Sequence, residues 1–236
     1  AIDESLTRLK TDYIDLYQLH WPERLVPIFG QLDFIYEQSD IDWTPILEIL
    51  QNLEDLKKIG KIRNFGLSNE TAWGLLKYIN TSEVHKLTKP ASIQNGYNLL
   101  NRVFDISLSE VSIRENCGLL AYSPLAGGRL SGKYLNGERP NEARYTLWPG
   151  RFSRHHTLKG EKAIKKYLSL SQKYNLNLTD LSNAFVLSRP YLTSSIFGVT
   201  SLEQLKNNLN CLNIELTNDL LGEINRIHVA DPNPCV

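Results

Sequence analysis

Short apolar segments alternate with longer amphipathic ones along this chain, and this alternation limits the folds that it can adopt. Five apolar segments have the length of β-strands: residues 13–18, 61–67, 91–94, 118–122 and 194–197. Between them, apolar residues recur at helical spacing. Apolar strands separated by helices predict a parallel sheet covered by helices, which is an α/β fold. The strand at 13–18 is predicted to be buried.

Helices are predicted wherever the apolar spacing has helical period and a start signal precedes it. Thr44 is the predicted N-cap of one helix, with Pro45 at its first position and Gly60 at its end. Residues 68–70 are predicted to start the next helix. Further helices are predicted at residues 103–115, 160–174, 179–188, 202–211 and 217–228. No regular element is predicted for 23–42 or 123–156.

The polar residues of the chain cluster directly after the predicted strands. A (β/α)₈ barrel carries its site on such strand-to-helix loops. An open doubly wound sheet more often has a Gly-x-Gly-x-x-Gly turn, which this sequence lacks. We therefore predict a (β/α)₈ TIM barrel, with residues 1–236 as a single domain that supplies about five of the eight units. Because Ile2, Leu6 and Leu9 already have helical spacing, we expect the N-terminal third of the barrel to be absent.

Composition excludes several classes of partner. Lys and Arg together number 26, as do Asp and Glu, so no net field favours nucleic acid or an anionic membrane. No segment is long and apolar enough to be predicted to span a bilayer. Cys117, Cys211 and Cys235 are scattered without metal-ligand spacing. These observations predict a reduced, cytoplasmic protein that binds a small molecule; its oligomeric state is left open.

Candidate site residues lie at the ends of four predicted strands. They are His20, then Ser68 and Asn69, then Gln94 and Asn95, then Tyr122 and Ser123. The set lacks the carboxylate cluster of a metal or glycosidase site, and a nucleophile with a matched base. Amides suit a carboxamide and an aromatic face suits a flat ring, so the set favours a nicotinamide. After the last strand, Ser201 and Gln204 fit a capping box whose N–H groups could hold a phosphate.

Each candidate also has a structural interpretation. A lone histidine is more often structural, but the strand-end position of His20 favours an active-site role. Ser68 and Asn69 are compatible with a helix cap, and Tyr122 with a core position. The remaining histidines, His85, His155, His156 and His228, are predicted to be surface residues. The segment 23–42 is either a substrate wall or a packed cover.

Five ordered parts of the sequence together resemble the aldo-keto reductase family. They are residues 11–22, 60–63 with 66–69, 94–98, 122–125 with 131–134, and 198–208. Residues 68–72, 99–102 and 133–137 are most similar to the Tas branch of NADPH-dependent reductases, which also resembles potassium-channel β subunits. The resemblance implies a cofactor, NADP(H), and reduction of aldehydes or ketones to alcohols by hydride transfer.

The resemblance also implies a role for each candidate residue. His20 would orient and polarise the substrate carbonyl. The cofactor contacts, from the nicotinamide to the adenosine end, would be Ser68, Asn69, Gln94, Tyr122, Ser123, Leu125, Lys133, Arg151, Arg154, Gly198, Thr200, Gln204 and Asn208. Asn207 stands where the family commonly has a glutamate, and no lysine follows Gly198. A preference for NADPH would therefore rest on Lys133 and the arginines.

The family's catalytic tyrosine, lysine and aspartate lie on earlier strands, which the resemblance places before residue 1. Tyr13 and Tyr17 cannot replace that tyrosine, because they lie on the strand that leads to His20. We expect the parent protein to be a reductase and the 236-residue polypeptide alone to be inactive and to aggregate or oligomerise. Two alternatives stay open: a non-catalytic, NADPH-binding regulatory module, and an inactive truncated remnant.

Overall fold

The computed structural model describes residues 1–37, 40, 42–150 and 153–236. Its five strands are β1 (Ile14–Leu19), β2 (Ile62–Ser68), β3 (Ser92–Gly96), β4 (Gly118–Tyr122) and β5 (Leu192–Ile196). They follow one another in the sheet in chain order, and β2 pairs in parallel with both β1 and β3. The predicted α/β fold with a parallel sheet is confirmed, and it agrees with part of a (β/α)₈ barrel.

Helices follow the strands as the sequence pattern predicts. The α-helices are α1 (Ile2–Leu9), α2 (Ile46–Lys58), α3 (Ala72–His85), α4 (Leu108–Arg114), α5 (Arg144–Leu147), α6 (Leu158–Lys173), α7 (Leu178–Leu187), α8 (Leu202–Leu209) and α9 (Asn218–Ala230). Two predictions were wrong in detail: the predicted helix 103–115 is a 3₁₀ turn followed by the shorter α4, and α5 lies in a segment predicted to be irregular. None of the described helices has both the length and the apolar character needed to cross a membrane.

The N-termini of α2 and α3 differ from the prediction. Pro45, not Thr44, is the N-cap of α2, and no side chain caps that helix. The Thr44 N–H instead donates to the Glu23 carboxylate at 2.7 Å. The cap of α3 is Thr71, whose hydroxyl accepts from the Gly74 N–H at 3.3 Å. Because Thr71 supplies the cap, the side chains of the preceding residues are available for other contacts.

The described chain divides into two compact units. The first comprises residues 1–27, 33–95 and 107–119, and the second comprises residues 28–32, 96–106 and 120–236. In the first unit, β1 is only half-buried, contrary to the prediction, because it has a single strand neighbour, β2. The core of this unit is apolar and consists of Leu50, Leu53, Ile62, Phe65, Leu67, Leu75, Ile79 and Ile93. Helices α2 and α3 pack against each other above it.

Aromatic rings form much of the core of the second unit. The rings of Tyr97 and Phe185 are stacked with centroids 5.9 Å apart, and Phe104 and Tyr191 pack beside them. Phe185 lies on α7, which packs against α6, α8 and β5. Helix α7 is buried along most of its length because it is surrounded on several sides.

Candidate functional site

His20 directly follows β1 at its carboxyl end, and its side chain is exposed. Its ring packs on the neighbouring Trp21 ring, with centroids 4.2 Å apart. The His20 carbonyl accepts a hydrogen bond from the Asn69 side-chain amide at 2.9 Å. This bond fixes the backbone at the strand end, while the imidazole stays accessible to a small molecule.

Three strand ends of the first unit bring His20 together with Ser68, Asn69 and Gln94. Ser68 and Gln94 are register partners in β2 and β3, and the Ser68 hydroxyl donates to the Gln94 carbonyl at 2.8 Å. The Asn69 N–H donates to the same carbonyl at 2.9 Å, with Asn69 in the left-handed region at φ 54°. Within the described residues, no hydrogen bond engages the half-buried Gln94 side-chain amide. This amide can therefore both donate to and accept from a ligand.

A buried ion pair supports the loop that follows β2. Arg24 contacts Glu70 through two hydrogen bonds, of which the one from Nη1 to Oε2 is 3.0 Å long. The Asn95 side-chain amide donates to the Glu70 carbonyl at 2.9 Å and its oxygen accepts from the Glu70 N–H at 3.2 Å. The Arg24 guanidinium also lies 4.8 Å from the Trp73 ring centroid. A Cβ on Gly74 would overlap both charged groups, so the pair requires glycine there.

The sequence pattern did not predict the Arg24–Glu70 pair. The two residues are 46 positions apart, and the pattern gives no signal for a pair at that separation. Asn95 was in the strand-end set, but the structure gives it a supporting role. The aromatic side chains Phe29, Phe34 and Tyr36 of the 23–42 segment are all exposed, at 47%, 62% and 75%. The described part of that segment contains no helix or strand.

In the second unit, Tyr122 ends β4. A Cβ on Gly96 would lie 3.3 Å from the Tyr122 ring, so a larger residue at 96 would crowd the ring. Burial raises the pKa of the Tyr122 hydroxyl, and the nearby Arg154 charge opposes this shift. The next residue, Ser123, has φ 56°, and its carbonyl accepts from the Asn98 side-chain amide at 3.0 Å. The chain therefore turns sharply directly after the tyrosine.

The loop after Ser123 turns twice before Lys133. The Leu125 carbonyl accepts from the Gly128 N–H at 2.8 Å. Gly127 and Gly128 have φ 66° and 98°, values that favour glycine. A Cβ on Gly128 would lie 3.5 Å from the Lys133 Cε. Desolvation and the Arg144 charge lower the pKa of the exposed Lys133. Backbone N–H groups and a cation thus lie along one short loop.

Arg154 is half-buried in the second unit. Its guanidinium lies 5.1 Å from the Phe29 ring centroid, and its Nε donates to the His155 Nε2 at 3.4 Å. The Arg154 side chain also forms a hydrogen bond with the Tyr122 hydroxyl. Arg151, the other predicted phosphate ligand, lies outside the described residues. Arg154 thus lies beside Tyr122, the residue predicted to stack on the nicotinamide ring.

The predicted adenosine contacts follow β5. Gly198 and Thr200 are exposed, and the Gln204 side chain accepts from the Thr200 N–H at 3.0 Å. The Ser201 hydroxyl accepts from the Gln204 N–H at 3.2 Å, as in the predicted capping box. The Gln204 side chain, however, accepts from the N–H of Thr200 and not from that of Ser201. Asn208 is buried, and its side-chain oxygen accepts from the Asn183 amide at 3.4 Å. Gly198, Thr200 and Gln204 are exposed, whereas Asn208 lies on the buried face of α8.

The predicted surface position of the remaining histidines was wrong for His155. His85 is exposed, but His155 is only 4% exposed, and His156 and His228 are half-buried. The 3₁₀ turn Ser153–His155 packs against the turn Ala126–Ser131, which removes His155 from solvent. Two adjacent histidines carry no periodic signal, so the sequence could not separate the buried ring from the exposed one.

Acid is expected to destabilise the protein through His155. Burial, followed by the charges of Arg154, His156, Arg129 and Arg144, lowers the pKa of His155 from 6.5 to about 4. The unfolded state therefore binds the extra proton more readily, and the stability from neutral His155 is complete above pH 6.5 and lost as the pH falls to 4. The expected loss is about 3 kcal/mol.

Urea unfolding across this pH range measures the effect. A His155→Phe variant keeps a ring and removes the titration, so its stability is expected to fall less steeply in acid. A His85→Phe variant is the control, because His85 is exposed. Equal pH dependence in the His155→Phe variant and the unsubstituted chain would contradict the assignment.

Comparison with known proteins explains why these strand ends and loops occur together in one sequence. The model of the aldo/keto reductase family matches residues 1–229. The chain belongs to the aldo-keto reductase family. This membership confirms the resemblance and the oxidoreductase class of the family.

Individual relatives cover the chain almost completely. Protein tas of Escherichia coli (strain K12) is 42% identical over 228 residues, which are 97% of this chain and 65% of tas. An aldo-keto reductase of Babesia bovis is 39% identical over 241 residues, covering 97% of this chain and 85% of that protein. The E. coli NADH-specific methylglyoxal reductase is 31% identical over 214 residues, which are 90% of this chain and 58% of the relative. The chain thus spans about two-thirds of the length of tas.

Proposed function

We propose that the whole protein reduces aldehydes or ketones to alcohols with a nicotinamide nucleotide, NADPH in the first instance. The observation that carries the proposal is the strand-end arrangement of the first unit. It places the exposed His20 imidazole in a hydrogen-bonded frame with Ser68, Asn69 and the unengaged Gln94 amide. Family membership supports an oxidoreductase but leaves the nucleotide and the substrate to experiment.

The chemistry of the residues fits a nicotinamide nucleotide. When bound, the reduced nicotinamide supplies a hydride. In the first unit, the Gln94 amide offers both a donor and an acceptor to a carboxamide. In the second unit, Tyr122 offers a half-buried aromatic face, and Lys133 offers an exposed cation for a phosphate.

His20 would act on the substrate rather than on the nucleotide. An imidazole N–H that donates to a carbonyl oxygen draws electron density from the carbonyl carbon, which makes that carbon more electrophilic. The Asn69 bond to the His20 carbonyl holds the backbone of this residue in place. The side chain of His20 thus orients and polarises the carbonyl group.

The choice between NADPH and NADH depends on cations that could pair with an additional phosphate. Lys133 and Arg154 are the described candidates, and both are in the second unit. Arg guanidinium and Lys ammonium groups bind phosphates by charge-assisted hydrogen bonds. We propose NADPH for this reason. Because one relative is named as NADH-specific, both nucleotides are tested.

The test follows the absorbance of the reduced nicotinamide while the whole protein is mixed with NADPH or NADH and a panel of aldehydes and ketones. His20→Ala is expected to lower kcat by about 100-fold, because general acid–base and polarising groups contribute at least that much. His85→Ala, at an exposed helix end, is the matched control and should keep full activity.

Turnover of no carbonyl with either nucleotide would contradict the proposal. If the nucleotide binds but no carbonyl is reduced, the non-catalytic regulatory module is the better explanation. For residues 1–236 alone we propose nucleotide binding without turnover. Carbonyl reduction requires a positioned acid in addition to the polarising His20.

A further inference from the structure

The sequence contains two Asn-Gly pairs, Asn95-Gly96 and Asn136-Gly137, and the structure places them in different surroundings. Such a pair is chemically reactive, because glycine has no side chain to keep its backbone nitrogen away from the asparagine side chain. The first pair ends β3, whereas the second lies in the exposed 3₁₀ turn Leu135–Gly137. The two pairs therefore share a sequence and differ in how tightly the fold holds them.

We propose that Asn136 is a site of spontaneous deamidation in the folded protein and that the fold protects Asn95 from the same reaction. The proposal goes beyond the proposed function, since it requires neither a nucleotide nor turnover. It rests on three observations: the exposure of the turn, an Asn136 side chain without a hydrogen bond among the described residues, and the two bonds that hold the Asn95 side chain.

The reaction needs only water. The Gly137 backbone nitrogen loses its proton and attacks the side-chain carbonyl carbon of Asn136, and the side-chain nitrogen leaves as ammonia. The product is a five-membered cyclic imide. Water opens this ring at either carbonyl and gives aspartate or isoaspartate, in which the backbone runs through the side chain. Each route consumes one water, releases one ammonia and replaces a neutral amide by a carboxylate.

The turn that carries Asn136 can bring the two reacting atoms together. Both residues of the pair are exposed, and beyond the chain neighbours of Gly137 no atom lies within 4 Å of the place where its Cβ would be. Asn136 is in the left-handed region at φ 56°, and the Glu138 N–H donates to the Leu135 carbonyl across the turn at 3.2 Å. Attack requires the backbone to rotate and this turn to open. Short exposed turns open with free energies near zero, so the opening is frequent.

Asn95 is held through both ends of its side-chain amide. Its nitrogen donates to the Glu70 carbonyl at 2.9 Å, and its oxygen accepts from the Glu70 N–H at 3.2 Å. Glu70 is fixed in turn by its buried ion pair with Arg24. Attack on the Asn95 side chain requires both bonds to break and the end of β3 to leave the sheet. We therefore expect modification of Asn95 only when the chain unfolds.

Deamidation changes both the charge and the backbone of the turn. The Asn136 N–H interacts with the Glu161 carboxylate, and a new carboxylate at position 136 would repel that group. Isoaspartate also lengthens the backbone by one methylene, so the turn loses the geometry of its bond between Leu135 and Glu138. The chain has no formal net charge and an isoelectric point of about 7.2, so one added negative charge separates the modified form in isoelectric focusing.

Peptide mapping by mass spectrometry tests the proposal. The purified folded chain is incubated in mildly alkaline buffer made with heavy-oxygen water, which labels each deamidated residue with one heavy oxygen atom. The peptide that contains Asn136 is expected to take up this label at least about tenfold faster than the peptide that contains Asn95. In guanidinium chloride, which removes the fold, the two rates should become similar. An isoaspartyl methyltransferase should methylate only the Asn136 peptide of the folded chain.

Variants assign the reaction to the turn. Asn136→Gln keeps an amide but would need a less favourable six-membered ring, so the acidic species in isoelectric focusing should disappear. Asn80→Gln is the matched control, because Asn80 is exposed on α3 and is followed by threonine instead of glycine; the acidic species should remain. Absence of the modification at Asn136 in the folded chain would overturn the proposal, and so would equal rates at Asn136 and Asn95 in that state.

Discussion

Replacing Glu70 with alanine is expected to lower the free energy of unfolding by about 3–5 kcal/mol, because it leaves a buried guanidinium without its counter-ion. The side chains of Arg24 and Glu70 are only 10% and 3% exposed. Glu70 Oε1 also accepts from the Thr71 N–H at 2.6 Å, so the substitution removes a second interaction at the start of α3. Urea unfolding of the purified chain measures the loss.

Two controls separate burial from charge. Glu83→Ala removes the carboxylate of an ion pair with Lys89 whose partners are 51% and 45% exposed, and no comparable loss is expected. The double variant Arg24→Met with Glu70→Leu replaces both charges by apolar side chains. It should recover much of the stability, since no buried charge is left unpaired. If the double variant is as unstable as Glu70→Ala, the unpaired charge is not the cause.

Replacing Asp105 with alanine should cost a similar 3–5 kcal/mol in the second unit. Its carboxylate accepts from the Tyr97 hydroxyl at 3.0 Å, from Arg102 Nε at 2.8 Å and from the Tyr191 hydroxyl. Tyr97 is fully buried, and Tyr191 is 8% exposed. Alanine would leave these donors in the aromatic core without their acceptor. Each buried donor without an acceptor then destabilises the fold by its desolvation penalty.

The conservative variant Asp105→Asn keeps one acceptor oxygen, so it should retain part of the stability. A Tyr191→Phe variant combined with Asp105→Ala should lose less than the sum of the two single losses, because both act in one network. Glu110→Ala is the matched control, since Glu110 and Arg114 form an exposed ion pair between residues four positions apart in one helix. If the network contributed nothing, thermal and urea unfolding would show equal losses of stability in the Asp105→Ala and Glu110→Ala variants.

Strand positions could be predicted from the sequence because they depend on local pattern. The predicted strand 118–122 coincides with β4, and the prediction for β2 differs by one residue at each end. Gly60, in the left-handed region at φ 78°, follows the end of α2 as predicted. The predicted helix 103–115 failed because Arg102 and Asp105 are held by long-range partners, including Asn225 and Asn233. Helical spacing contains no information about such partners.

The strand-end residues of the site were predictable for a different reason. In a parallel sheet, the carboxyl ends of neighbouring strands lie together, so His20, Ser68 and Gln94 could be grouped once their strands were recognised. The roles implied by the resemblance stay predictions. The Arg24–Glu70 pair and the burial of His155 could not be predicted, because each results from packing between segments far apart in the chain.

The Arg24–Glu70 pair has a consequence for how this sequence can change during evolution. Losing either charge alone passes through an intermediate of low stability, so substitutions at positions 24 and 70 should occur jointly in lineages of this protein. Position 74 should change together with positions 24 and 70, since a side chain there would overlap both charged groups. Relatives that lack the pair are expected to carry apolar residues at both positions, and only those relatives should tolerate alanine or serine at position 74.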